Sequence, residues 1–440
     1  MVVSRDRSPS AQETFAQMAQ AAGLRGRILL TIGLLVLVRL GIYLPVPGID
    51  RAIFSARIES SGLGGIVGFL DIFSGGGLSA LGIFALGILP FINASIIIQL
   101  LTAALPSLED LQKNEGEAGR RKLSQITRYV ALGWALIQSF GISLWVSSLG
   151  AANNPGPVFI VETMLALSAG SMLVMWLGEL ITERGIGNGA SLLIFVNIVS
   201  TFPRSVGQTF ALAQSGDREV VGGIILLALA FLATIVGIVF VQEGARRIPI
   251  VSARRQVGRR VYQERSSYLP LRLNQGGVMP IIFATAVLVL PASLAQFTNN
   301  PALAQVATYL SPTGVTPWLY ALVYLALILF FSYFYASLIV NPVDMSQNLK
   351  KMGSSIPGVR PGQATSDRIQ QVLNRLTFLG AVFLGLVAIV PTAVESATNV
   401  RTFQGLGATS FLILVGVAID TSKQIQTYVI SQRYEGMVKE

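Results

Sequence analysis

The sequence predicts an all-α polytopic membrane protein: ten transmembrane helices in two inverted, pseudo-symmetric halves of five. Three observations predict it. Apolar residues fill 52% of the 440 positions and charged residues only 12%, with a mean hydropathy of +0.63, whereas a soluble domain carries about 25% charged residues. Several segments stay apolar over the roughly 20 residues that cross about 30 Å of hydrocarbon, and ten spans can be counted. Lys and Arg crowd into every second connecting segment. The alternating segments of about 10 residues that mark a membrane β-barrel are not found.

The predicted spans run from 28–44, 78–105, 129–149, 158–181 and 188–212 in the first half, then 220–241, 276–297, 315–340, 372–394 and 405–430 in the second. Pro203 interrupts the fifth. Residues 1–24 are polar, and Arg25 and Arg27 precede the first apolar run. No small-residue cleavage site follows that run, so it reads as a retained helix rather than a signal peptide. With the N-terminus in the cytoplasm, 26 of the 32 Lys and Arg fall in cytoplasmic segments, counting Arg375 and Lys423 at the cytoplasmic ends of their spans. Only Arg51, Arg57, Arg204, Arg218 and Arg401 fall outside, and Arg39 lies within the first span. The positive-inside rule therefore places both ends in the cytoplasm.

Five spans per half is an odd number, so the second half enters the membrane upside down. This is the inverted-repeat layout of many transport proteins, with the working site between the halves. An ordinary ten-helix bundle without internal symmetry is the alternative. The expected organisation is a cytoplasmic segment 1–24, a first half 25–212, a second half 213–430 with cytoplasmic loops 243–274 and 341–371, and a tail 431–440.

The chain has no Cys and no His. That excludes thiolate catalysis, disulfides, metal or haem held by those side chains, and a histidine general base. A Ser–Lys hydrolase is disfavoured because every Lys lies in a cytoplasmic segment. No enzyme activity and no cofactor are expected. Arg39, Glu162, Glu179 and Asp420 are the charges within or beside spans, where charge marks function or a structural pair. No two of them pair near the midplane, which argues against an ion-coupled solute transporter.

Four stretches carry further information. In "LGILPFINASIIIQLL" (86–101), Ile88 and Ile92 are four apart and share a helix face. Such residues ordinarily face lipid or a partner helix; the other reading is a hydrophobic constriction that excludes water. "RRIPIVSARRQVGRR" (246–260) packs six Arg into 15 positions and alternates Ile248, Ile250 and Val251 with polar residues, the pattern of an extended hairpin. Its charge serves membrane topology, or else binds a polyanion such as RNA or an acidic partner. "GIGNGAS" (185–191) looks like a phosphate loop but lacks the preceding strand and the Lys of a P-loop. Its Gly and Asn suit a tight helix–helix turn. "GGIVGFLDIFSGGG" (64–77) is too apolar for a water-facing loop and too short to span.

Several stretches together closely resemble the SecY family, the channel subunits of the Sec translocon. They are "LPVPGID" (44–50), "FSGGGLSALGIFALGILPFINASIIIQLL" (73–101), "EGEAGRRKLSQITRY" (115–129), "MWLGELITERGIGNGAS" (175–191), "RQVGRRVY" (255–262), "NPVDMSQNLKKMGSSIPGVRPGQAT" (341–365) and "QTYVISQRYEGMVK" (426–439). The match covers nearly the whole chain, and its wording looks like a cyanobacterial or plastid member. The resemblance implies two halves hinged between spans 5 and 6 around an hourglass pore. It puts Ile88, Ile92, Ile194, Ile282 and Ile413 in the waist. It makes 64–77 a re-entrant plug half-helix, with Ile66, Phe69, Leu70, Ile72 and Phe73 on its apolar side.

The same resemblance makes Arg254, Arg255, Arg259, Arg260 and Arg360 the docking residues for the ribosome or the SecA ATPase. It places Gln99, Asn188 and Asn274 as polar contacts at a lateral gate between spans 2 and 7. The implied partners are SecE-type and SecG-type small membrane subunits, SecA, the ribosome through its RNA, signal peptides and nascent chains, and membrane lipid. The implied activity is passage of unfolded secretory polypeptides and release of transmembrane segments into lipid. The expected location is the plasma (inner) membrane, or the thylakoid membrane.

Overall fold

The computed structural model describes residues 22–60, 71, 74–113, 116–214, 218–252, 255–257, 260–262, 266–298, 301–310, 316–398 and 408–438. They group into two compact units: residues 22–208 with 417–438, and residues 209–398 with 408–416.

The first unit contains α1 (Ala22–Gly41), α2 (Arg51–Ser60), α3 (Leu89–Ala104), α4 (Pro106–Lys113), α5 (Gly116–Ser148), α6 (Pro157–Arg184) and most of α7 (Gly189–Ala213). Its core gathers Phe54, Leu81, Val146, Ala151 and Leu167, all fully excluded from solvent. Phe54 meets Trp145 edge to face at 5.4 Å, the arrangement that the ring quadrupoles favour. Between α5 and α6, Ser139 and Ser168 share a hydrogen bond of 2.8 Å, which satisfies both buried hydroxyls.

One predicted span is corrected. Residues 78–88 were expected to be helical, but α3 starts only at Leu89, and turns precede it. Gly75, Gly76 and Gly87 take φ of +68°, +90° and +53°, and Leu81 takes +42°, values no right-handed helix contains. The tight turns also serve packing. A Cβ at Gly82 would overlap the Ile42 carbonyl oxygen, and one at Gly170 of α6 would overlap the Ile83 carbonyl oxygen. Hydropathy reports that this stretch is buried, not that it is helical. Past Leu105, α4 turns away from α3 by 105°.

The second unit begins with α8 (Arg218–Glu243), followed by β1 (Ala245–Ser252), β2 (Arg255–Val257), β3 (Arg260–Tyr262) and β4 (Ser266–Arg272). Then come α9 (Met279–Thr298), α10 (Pro301–Tyr309), α11 (Pro317–Ile339), α12 (Pro342–Lys351), β5 (Ser354–Ser355), α13 (Gln363–Thr398) and the start of α14 (Ala408–Val438). β1 pairs antiparallel with β4 from Ala245↔Arg272 to Val251↔Ser266, and β2 pairs with β3 as a second hairpin. The extended hairpin expected from alternation is there. The all-α expectation thus holds for the spans but not for this loop.

The sequence did not reveal that the two long loops expected on the cytoplasmic side are one structure. β1 also pairs with β5, through Val251↔Ser355 and Ser252↔Ser354, giving the sheet order β4-β1-β5. Ile248, Ile250 and Leu271 of the sheet share a core with Leu349, Ile356, Ile369, Val372 and Leu376. Asn341 caps α12 by accepting from the Val343 and Asp344 amides, as its type and position favour. In the span region, Phe283 packs edge-on against Phe331 and Tyr335, and the Tyr333 hydroxyl donates to the Asn374 carbonyl at 3.3 Å.

Six helices among the described residues are long and apolar enough to cross a membrane, and α3 with α4 makes a seventh if the bent pair counts as one span.

Candidate pore and cytoplasmic docking surface

The five isoleucines of the expected waist are all buried, between 1% and 7% exposed. In the first unit, Ile88 is the residue just before α3, with φ −93° and ψ −1°, and its carbonyl accepts from the Ile92 amide at 3.1 Å. Helical geometry therefore already holds at Ile88, which keeps Ile88 and Ile92 on one face. Gly178 of α6 lets that face approach: a Cβ there would lie 3.2 Å from Leu193 and 3.4 Å from Ile88. Ile194 stands on the neighbouring stretch of α7. In the second unit, Ile282 lies in the first turn of α9 and Ile413 in the second turn of α14.

The plug side chains Ile66, Phe69, Leu70, Ile72 and Phe73 lie outside the described residues. Residues flanking them are described. The Asp71 carboxylate accepts from Leu78 N (2.9 Å), Ser79 N (3.1 Å) and the Ser74 hydroxyl (2.9 Å). Three donors on one oxygen knot residues 74–79 into a fixed turn. Arg39 of α1 donates to the Gly75 carbonyl, and its guanidinium lies 5.7 Å from the Tyr43 ring centre. The Arg39–Gly75 contact was not anticipated, because it joins residues 36 positions apart.

The other membrane charges resolve simply. Glu179 accepts from Arg128 at 2.9 Å, a structural ion pair. Glu162 and Asp420 are exposed. Sequence reading passed over Glu395, 7% exposed in α13 and with Oε1 unpartnered among the described residues.

The Gly-rich turn is fully committed to structure. Ile186 N donates to Thr31 Oγ1 (3.1 Å), Gly187 N to Gln424 Oε1 (3.0 Å), and Gly189 N to Thr182 Oγ1 (2.8 Å). Asn188 Oδ1 caps α7 at Ser191 N (3.2 Å). The amides of Ile186, Gly187 and Gly189 are thus engaged within the protein. Of the expected gate residues, Asn188 is therefore a helix cap. Asn274, buried, closes its own turn by donating to the Gly277 carbonyl at 2.6 Å. Gln99 is half-buried on α3.

On the platform built from the sheet and α12, Arg360 is exposed at the tip of a turn between Gly358 (φ +78°) and Gly362 (φ +110°). The turn is pinned by Thr365 Oγ1 donating to Arg360 O (2.9 Å) and Ser346 Oγ donating to Gly362 O (2.6 Å). Arg255 opens β2 and Arg260 opens β3, paired with Tyr262 and Val257. Arg254 and Arg259 lie outside the described residues. Arg247 stacks over Tyr268 at 4.8 Å.

Fold and site together define a multi-pass, helical membrane protein with buried aliphatic positions on its spans and an Arg-rich platform of strands and helices outside them. A family model described as SecY matches residues 82–422. A relative from Synechococcus elongatus, described as protein translocase subunit SecY, is 75% identical over the full length of both chains. One from Porphyra purpurea is 57% identical over 96% of this chain and all of its own, and one from Aquifex aeolicus 43% over 94% and 97%. The chain belongs to the SecY family. Its fold matches a solved structure described as a protein conducting channel, with TM-score 0.62, 18% identity and 91% of each chain covered. It also matches Sec61 from a canine ribosome–channel complex, with TM-score 0.58, 18% identity and the same coverage.

Proposed function

We propose that the chain is a passive, gated protein-conducting channel. It passes unfolded secretory polypeptides across the membrane and releases transmembrane segments sideways into lipid. Ten spans in two inverted halves, 25–212 and 213–430, form an hourglass whose waist is Ile88, Ile92, Ile194, Ile282 and Ile413. The segment 64–77 is the plug. Gln99, Asn188 and Asn274 lie along the lateral gate. Both termini are cytoplasmic, in the plasma or thylakoid membrane.

The observation that carries this reading is the set of five buried isoleucines, contributed by four separate helical regions of a SecY-family chain. A narrow aliphatic waist offers a sliding chain no fixed hydrogen-bond partner, so any sequence meets a low and uniform barrier. The same surface sheds water when empty and opposes ion leak. A signal segment opens the gate only by as much as it binds the open state better than the closed one.

The channel performs no chemistry of its own; energy comes from a partner. The curated relatives carry the name of translocase subunits, and one solved neighbour sits in a ribosome–channel complex. The ribosome and the SecA ATPase dock through Arg254, Arg255, Arg259, Arg260 and Arg360, and SecE-type and SecG-type subunits complete the membrane complex. A photo-reactive group at Ile92, with a secretory chain stalled during passage, tests the reading. Crosslinks to the stalled chain are expected. If the chain crosslinks to lipid-facing positions and not to Ile92, the pore is elsewhere.

A further inference from the structure

Arg39 stands out as a cation within the first predicted span whose grip, among the described residues, is on a backbone carbonyl. It lies near the end of α1, is half-buried, and donates to the Gly75 carbonyl while facing the Tyr43 ring. A charge in this position must satisfy itself inside the protein. Gly75 is the receiving end of a tight fit: its φ is +68°, and a Cβ there would stand 2.5 Å from Asn197 Oδ1 and 2.7 Å from Arg39 Nη1. Only a glycine leaves room for α1 and α7 to reach the same α-carbon.

The turn so gripped is rigid. Asp71 ties Ser74, Leu78 and Ser79 together, Gly76 N donates to Asp71 O at 3.0 Å, and Ala80 N donates to Gly76 O at 3.1 Å. Ser74, Asn197, Val38, Gly87 and Ile88 line one small cavity beside it. The grip and a waist isoleucine therefore belong to one local structure.

We propose that Arg39 is a positioning residue of the resting channel. Its guanidinium holds the 74–79 turn against the wall that carries Ile88, and this fastening keeps the unoccupied pore from passing ions. The inference rests on the channel reading above. Opening then requires the Arg39–Gly75 bond to break, and the lost donor and acceptor gain water from the widening vestibule.

The test is single-channel and macroscopic ion conductance of the purified channel complex in planar bilayers, without substrate. Arg39→Gln removes the charge and shortens the reach. Gly75→Ala attacks the same contact from the other side. Both are expected to raise resting conductance about fivefold or more, with Arg39→Lys close to wild type. Melting temperature in detergent separates loosening of the turn from general unfolding. An Ile88→Gly variant serves as the reference leak. If Ile88→Gly leaks and neither Arg39→Gln nor Gly75→Ala does, the fastening is overturned while the channel stands. A leak in only one of the two also overturns it. If Ile88→Gly does not leak and Ile92 captures no stalled chain, the channel reading itself fails. Should Arg39→Gln not fold, Gly75→Ala alone decides: wild-type conductance overturns the inference.

Discussion

Thr31 Oγ1 accepts the Ile186 amide hydrogen at 3.1 Å, joining α1 to the Gly-rich turn 155 positions further along the chain. The same hydroxyl donates to the Arg27 carbonyl at 2.8 Å. Gln424 of α14 takes the next N–H of that turn, from Gly187, and Arg27 lies over the Tyr428 ring at 5.1 Å. Three elements thus meet at one turn because its amides have no other partners. Thr31→Val keeps the shape but orphans the Ile186 N–H. It should cost about 1–3 kcal/mol, seen as a lower melting temperature in detergent. Gln424→Leu should cost a similar amount, through Gly187.

Replacing the waist isoleucines with Gly or Ser should raise resting ion conductance, because the collar widens and holds water. Ile→Leu should change it little, since volume and polarity are kept. Planar-bilayer currents no larger than wild type would contradict the assignment.

Two glycines should behave oppositely on substitution. Gly170→Ala drives a methyl into the Ile83 carbonyl and should destabilise by about 1–3 kcal/mol. Gly26→Ala meets nothing within 4 Å and sits in a helix, where Ala is favoured by roughly 0.5–1 kcal/mol. Thermal unfolding of the pair checks both signs at once.

Ile369, fully buried in the shared core of the two cytoplasmic loops, should cost about 2–5 kcal/mol on truncation to Ala. Because β5 joins the sheet, proteolysis of Ile369→Ala should quicken in both loops together. Faster cleavage confined to 341–371 would mean the loops are independent.

Arg360→Glu should leave the melting temperature unchanged, since its side chain is exposed and only its backbone is pinned. Binding of ribosomes or of the motor ATPase should weaken, and most at low salt, where surface charge is least screened. Equal binding by co-sedimentation across ionic strengths would remove Arg360 from the docking surface.

Much of this protein is written in local pattern. Length of apolar runs located the helices, because crossing hydrocarbon demands about 20 apolar residues wherever the helix ends up. Alternation at Ile248, Ile250 and Val251 located a strand, because a half-buried sheet demands a period of two. Motif wording pointed to the family that the comparisons then identified.

What the tertiary structure decided is the set of contacts with no local signature. Hydropathy read 78–88 as helix, yet left-handed φ at Leu81 and Gly87, with close approach of Gly82 to Ile42 and of Ile83 to Gly170, make it a series of turns. Asp420 seemed deep by position and is exposed by packing. The pairing of Val251 with Ser355, of Arg39 with Gly75 and of Thr31 with Ile186 each spans tens to more than a hundred positions. Such contacts depend on which surfaces meet after the helices assemble, and the sequence records only that each residue has something to bond, not with what.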